Sequence, residues 1–148
     1  MNVKFSKILI PVDGSEASMN ASDYAIFFAK SNKSQLIAMH ADEAYHYTND
    51  LLIEKLDTIT SVDSIVQTIK QDAERWFNDI KQKISASEIG LRTGLVVSSK
   101  STEDTIADYA AHEGVDLIVM GTKGAGLKER VLGSTASHPL YQNFIFWF

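Results

Sequence analysis

Four apolar runs recur along the chain with helix-length intervals between them: KILIPVDGSE from Lys7, QLIAMHA from Gln35, IGLRTGLVVSS from Ile89 and DLIVMG from Asp116. They are continuous rather than alternating, so each reads as a strand covered on both faces. Strands of that kind, interleaved with helices, belong to a parallel sheet whose right-handed crossovers place helices on either side. The pattern predicts an α/β fold, an open doubly wound parallel sheet. With NFIFWF (Asn143 to Phe148) as a closing strand it has five strands, and in the order 3-2-1-4-5 the first and fourth are neighbours. Ligands of such sheets sit beyond the carboxyl ends of the strands, where the order reverses. Asp13 and Gly121 would face one another across that crevice.

The helices carry their own signals. Ser15 is placed as an N-cap with Glu16 behind it at the positive end of the helix dipole, and Ala17, Ala21, Tyr24, Ala25 and Phe28 form the expected sheet-facing stripe. A second helix runs from about Val62 to Ile84, with Val62, Ile65, Val66, Ile69, Ala73, Trp76, Phe77, Ile80 and Ile84 on one side. That stripe is read as core, without a ligand role. Ser101 or Thr102, followed by Glu103 and Asp104, starts a third helix that continues through Ala111 and ends near Gly114. A short helical turn is expected at Leu51 to Leu56, and a last short helix from Ser134.

At 148 residues the chain, 1–148, is expected to be a single domain. A net charge of -5 argues against a protein that grips nucleic acid or an anionic membrane through bulk electrostatics. With no cysteine there is no thiolate metal site or thiol nucleophile, and no run of eighteen apolar residues suggests a membrane span. A soluble cytoplasmic protein is expected. The four histidines, His40, His46, His112 and His138, lack metal-ligand spacing. His40 alone lies beside the predicted crevice, where a backbone hydrogen bond is its simpler role.

The segment GTKGAGLKERVLGST (Gly121 to Thr135) concentrates four of the eight glycines and three cations, Lys123, Lys128 and Arg130. Successive amides in such a turn make an anion nest, because glycine admits positive φ and has no Cβ to hold a phosphate away. Asp13 would complement it, meeting ribose hydroxyls or a metal carried on the phosphates. The plainer readings are a connecting loop and, for Asp13-Gly14-Ser15, ordinary turn and cap chemistry.

ILIPVDGSE at the first strand, LIVMGTKG at the fourth and LKERVLGST after it resemble the universal stress protein family, from about residue 5 to residue 136. Gly-x-x-Gly, a spacer and then Gly-Ser or Gly-Thr resemble that family's ATP-binding branch. The resemblance implies a five-stranded, adenine nucleotide alpha hydrolase-like fold, usually a homodimer, that binds ATP with Mg or Mn. It places Pro11, Val12 and Asp13 against adenosine, with Asp13 toward ribose or the nucleotide-bound metal. It places Ala41 in the adenine pocket, Met120 and Gly121 near base and ribose, and Gly124, Gly133, Ser134 and Thr135 on the phosphates.

Two features depart from the family pattern. Eight residues, Ala125 to Leu132, separate Gly124 from Gly133, one fewer than usual, so the loop must tighten or its phosphate contacts shift. The tail holds Pro139 and then Phe144, Ile145, Phe146, Trp147 and Phe148, a strand apolar on both faces that is read as a dimer contact. The sequence fixes neither a P-loop lysine nor a general base or arginine finger. Binding without fast turnover is therefore the expected role, in a stress or regulatory protein acting through its dimer or its partners. A same-fold interaction protein that binds no nucleotide and a slow ATPase are the alternatives.

Overall fold

The computed structural model describes residues 4–43 and 60–121. In chain order these form β1 (Lys7–Pro11), α1 (Glu16–Asn32), β2 (Gln35–Glu43), α2 (Thr60–Ile84), β3 (Leu91–Ser98), α3 (Thr102–Glu113) and β4 (Leu117–Ile118). The strands make one parallel sheet in the order β3-β2-β1-β4, as expected for the first four strands. The expected fifth strand at Asn143 to Phe148 lies outside the described residues, as do the turn at Leu51 to Leu56 and the helix from Ser134.

Register is set from both neighbours of β1. Ile10 pairs with Ala38 on β2, and Leu9 with Ile118 on β4. The carboxylate of Asp116 fastens the amino end, its Oδ2 accepting the Ser6 N–H at 2.7 Å and the Lys7 N–H at 3.0 Å. β4 pairs through two residues only, although the Val119 N–H still reaches the Leu9 carbonyl at 2.9 Å.

The pleat divides the core. Ile8, Ile10, Val12, Leu36, Ala38 and Val119 pack with α1 and α2 on one face, while Leu9, Ile37, Met39, Ala41, Ile118 and Met120 pack with α3 on the other. Burial of each Ile or Leu on this doubly covered sheet contributes about 1.5–3 kcal/mol. Among the described residues no helix is long and apolar enough to cross a membrane.

Local chemistry fixes the helix ends. The Ser15 hydroxyl accepts the Ser18 N–H at 3.1 Å, capping α1, and the Ser101 hydroxyl accepts the Asp104 N–H at 3.1 Å, capping α3. Gly114, at φ 66°, closes α3 in the left-handed region. Lys33 closes α1 there too, at φ 54°, without glycine's freedom.

The sheet-facing stripe of α1 differs from the expected one. Ser18, Ala21, Ser22, Ala25, Ile26 and Ala29 are its buried residues, whereas Tyr24 is 44% exposed. Two serines can face the sheet because their hydroxyls bond back along the helix, Ser18 to the Ser15 carbonyl and Ser22 to the Met19 carbonyl. On α2 the stripe holds from Ile69 to Ile84, but Val66 is exposed and Trp76 only half-buried.

Candidate functional site

β1 ends in a turn built by its own polar side chains. The Asp13 Oδ1 accepts the Ser15 N–H at 2.9 Å, and the Asp13 N–H points to the Ser18 hydroxyl at 3.3 Å. Gly14 between them sits at φ 78°, a conformation that glycine adopts without penalty. The turn-and-cap role expected of Asp13-Gly14-Ser15 is thus present. It also holds the half-buried Asp13 carboxylate at the carboxyl edge of the sheet.

β4 delivers Gly121 to the same place. A Cβ on Gly121 would stand 2.6 Å from the Ala17 carbonyl carbon, 2.7 Å from its oxygen and 2.8 Å from the Ser18 nitrogen. The end of β4 therefore lies directly on the first turn of α1, beside the Asp13 turn. Glycine is needed at this position for close approach, not for a special φ.

Of the sequence-predicted residues, Pro11, Val12, Asp13, Ala41, Met120 and Gly121 all stand at the carboxyl ends of β1, β2 and β4. The pleat sorts them. Ala41 and Met120 are buried on the α3 face, which Pro11 shares by alternation with Leu9; Val12 is buried on the α1 and α2 face. Val12 is itself a ladder residue, its N–H bonded to the Met39 carbonyl at 2.8 Å. Gly124, Gly133, Ser134 and Thr135, the cations Lys123, Lys128 and Arg130, and the aromatic tail from Phe144 to Phe148 lie outside the described residues.

His40 makes the backbone contact that was its simpler role. Its Nδ1 lies 2.7 Å from the Val12 carbonyl, while Nε2 is 3.6 Å from Asp42 Oδ2, a charge contact beyond hydrogen-bonding range. Burial acts to lower the His40 pKa. The Asp42 carboxylate, the Val12 carbonyl and the charge of Asp13 outweigh it, and the pKa is raised above 6.5. The imidazole also meets the Trp76 indole edge to face, with centroids 5.1 Å apart and planes at 79°.

On the α3 side, Glu43 Oε1 accepts the Thr102 N–H at 2.9 Å and the Thr102 hydroxyl at 3.2 Å, tying the end of β2 to the start of α3. Sequence reasoning missed Trp76 and Glu43 as neighbours of the site. Trp76 reaches His40, and Glu43 reaches Thr102, across a long stretch of chain, and no local periodicity records such a contact.

The described residues at this edge of the sheet combine polar and apolar groups. They offer a carboxylate for hydroxyls or a hard cation, and apolar Ala41 and Met120 beside it. No group of three or more His, Cys, Asp or Glu that could hold a metal occurs among them.

Residues 4–140 match the model of the Universal stress protein family. Universal stress protein YxiE of Bacillus subtilis (strain 168) is 32% identical over 140 residues, covering 93% of this chain and 93% of its own length. The structure of universal stress protein UspA from Lactobacillus plantarum superposes with a TM-score of 0.79 at 25% identity, over 99% of this chain and 100% of that one. A universal stress protein crystallised in complex with cAMP shares the fold at 16% identity, with a TM-score of 0.63 and 98% of each chain covered. Matched in fold and over nearly its whole length, the chain belongs to the universal stress protein family.

Proposed function

We propose that the protein binds an adenine nucleotide, ATP with Mg or Mn, at the carboxyl ends of β1, β2 and β4, and acts in stress response or regulation through nucleotide-dependent dimer or partner contacts. The carrying observation is the seating of Gly121 on the Ala17–Ser18 backbone, which brings the end of β4 to the Asp13 turn. In this reading Asp13 meets the ribose or the phosphate-bound cation, and Pro11, Ala41 and Met120 line the base. The chain from Gly124 to Thr135 takes the phosphates, as its motif implies. That a family member of the same fold was crystallised with cAMP supports the ligand class.

A thermal-shift titration with ATP and Mg tests the proposal. Ligand that binds only the folded chain stabilises it by about 2.7 kcal/mol at a hundredfold excess over Kd. The melting temperature is expected to climb with ATP in the wild type and to stay flat in Gly124→Val. No shift at millimolar ATP would leave the second reading, an interaction protein of the same fold. Tyr24 and Phe27, 44% and 65% exposed on α1, favour that reading. Phosphate release above the Gly124→Val background would mark a slow ATPase.

A further inference from the structure

Trp76 packs against the same core as the rest of its stripe but is less covered than the residues around it. Ala73, Phe77 and Ile80 around it are buried against the sheet, whereas Trp76 is half-buried and reaches the carboxyl ends of the strands. A Cβ on Gly14 would fall on the indole, 2.6 Å from Nε1 and closer still to Cε2 and Cζ2. The ring thus fills the space that any side chain at position 14 would need. Besides its packing on the core it pairs edge to face with His40, whose Nδ1 is bonded to the Val12 carbonyl. One indole therefore braces both chain neighbours of Asp13, touching Gly14 directly and reaching Val12 by way of His40.

We propose that Trp76 is the positioning residue of the nucleotide site: braced on Gly14 and His40, it sets where Asp13 stands and couples helix α2 to occupancy of the site. This rests on the reading that Asp13 meets the nucleotide. The coupling runs both ways, because a helix placement that changes nucleotide affinity is itself shifted by nucleotide to the same extent in free energy. Helix α2 is suited to such a response. Among its described side chains, from Ser64 onward, the buried ones begin at Ile69, and Ser64, Val66, Gln67 and Thr68 before it are exposed.

The test compares wild type, Trp76→Ala, Trp76→Phe and Ile84→Ala by ATP·Mg titration, together with the Gly14 amide signal of the ¹⁵N-labelled, ligand-free chains. Trp76→Ala is expected to weaken ATP binding by about tenfold, within the usual range for coupled sites, while the phenyl ring of Trp76→Phe keeps the His40 contact and restores most of it. Ile84→Ala removes a buried side chain from the same helix; it should lower stability and leave affinity alone, a separation that a purely structural role for Trp76 would not produce. The Gly14 amide should shift in both Trp76 variants and not in Ile84→Ala. An unmoved Gly14 signal, or equal ATP affinity in wild type and Trp76→Ala, would overturn the role given to Trp76. A wild type that ignores ATP while Gly14 still responds to residue 76 would refute the nucleotide reading and leave the brace standing.

Discussion

Gly121→Ala is the substitution whose cost follows most directly from geometry. Gly121 is not at positive φ, so alanine brings no backbone strain, and the whole effect is the added methyl. That methyl would meet three main-chain atoms of Ala17 and Ser18 at 2.6–2.8 Å, where carbon contacts are most favourable at about 3.5–4.0 Å. The end of β4 and the first turn of α1 must then part by about 1 Å. No rotamer change relieves a clash with backbone, and this backbone is held by the Ser15 cap. Overpacking of this kind costs about 1–3 kcal/mol, offset by about 0.4–1 kcal/mol from the stiffer unfolded chain. The net loss is about 1–2 kcal/mol, a fall of about 3–6 °C in melting temperature for a chain of this size. Calorimetry on the variant, beside Gly90→Ala as control, measures it. A Cβ on Gly90 would meet nothing within 4 Å, so that variant should melt with the wild type or slightly above it. Gly121→Ala melting as high as Gly90→Ala would refute the packing of β4 on α1, and with it the shared crevice.

Other perturbations probe the surroundings of the site. The raised pKa of His40 means that the folded state favours the charged imidazole; its contribution to stability is complete below about pH 6.5 and fades as pH rises through the folded pKa. In urea titrations the deficit of His40→Gln against wild type should therefore be larger near pH 5.5 than near pH 8.5, and the reverse order would show that burial wins. Lys33 holds a left-handed conformation at φ 54°, so Lys33→Gly should stabilise the chain by about 0.5–1 kcal/mol after glycine's extra unfolded-state entropy is counted; a loss of urea stability would contradict this. Glu43→Ala removes the charged acceptor at the start of α3 and should cost about 1–2 kcal/mol in the same assay, with Glu43→Gln losing less.

What the sequence revealed and what it hid divide along physical lines. The strand order of the described sheet follows from continuous apolar runs interleaved with helices, and Ser15, Ser101 and Gly114 announced the helix ends through cap chemistry that acts within four residues. The face of α1 was misread at Tyr24 because Ser18 and Ser22 are buried with their hydroxyls satisfied by their own helix, and a count of apolar residues does not see a satisfied serine. Trp76 was read as a core position and does pack against the core, but periodicity gives the face of a helix and not how far along the sheet a residue reaches. The convergence of the ends of β1 and β4 was legible because strand order implied it. The brace of Trp76 on Gly14 and His40 joins three distant parts of the chain and has no local signature.

The most direct test of the account is a ¹⁵N chemical-shift map of the full chain titrated with ATP and Mg. Shifts are predicted in Val12 to Ser15, Ala41, Met120 and Gly121, with the amino ends of the strands, Lys7, Gln35 and Leu91, left unmoved. An unchanged map at millimolar ATP would contradict the account. So would shifts gathered instead at the opposite end of the sheet, around Lys30, Lys33 and Gln35, where a hollow opens beside Gly90.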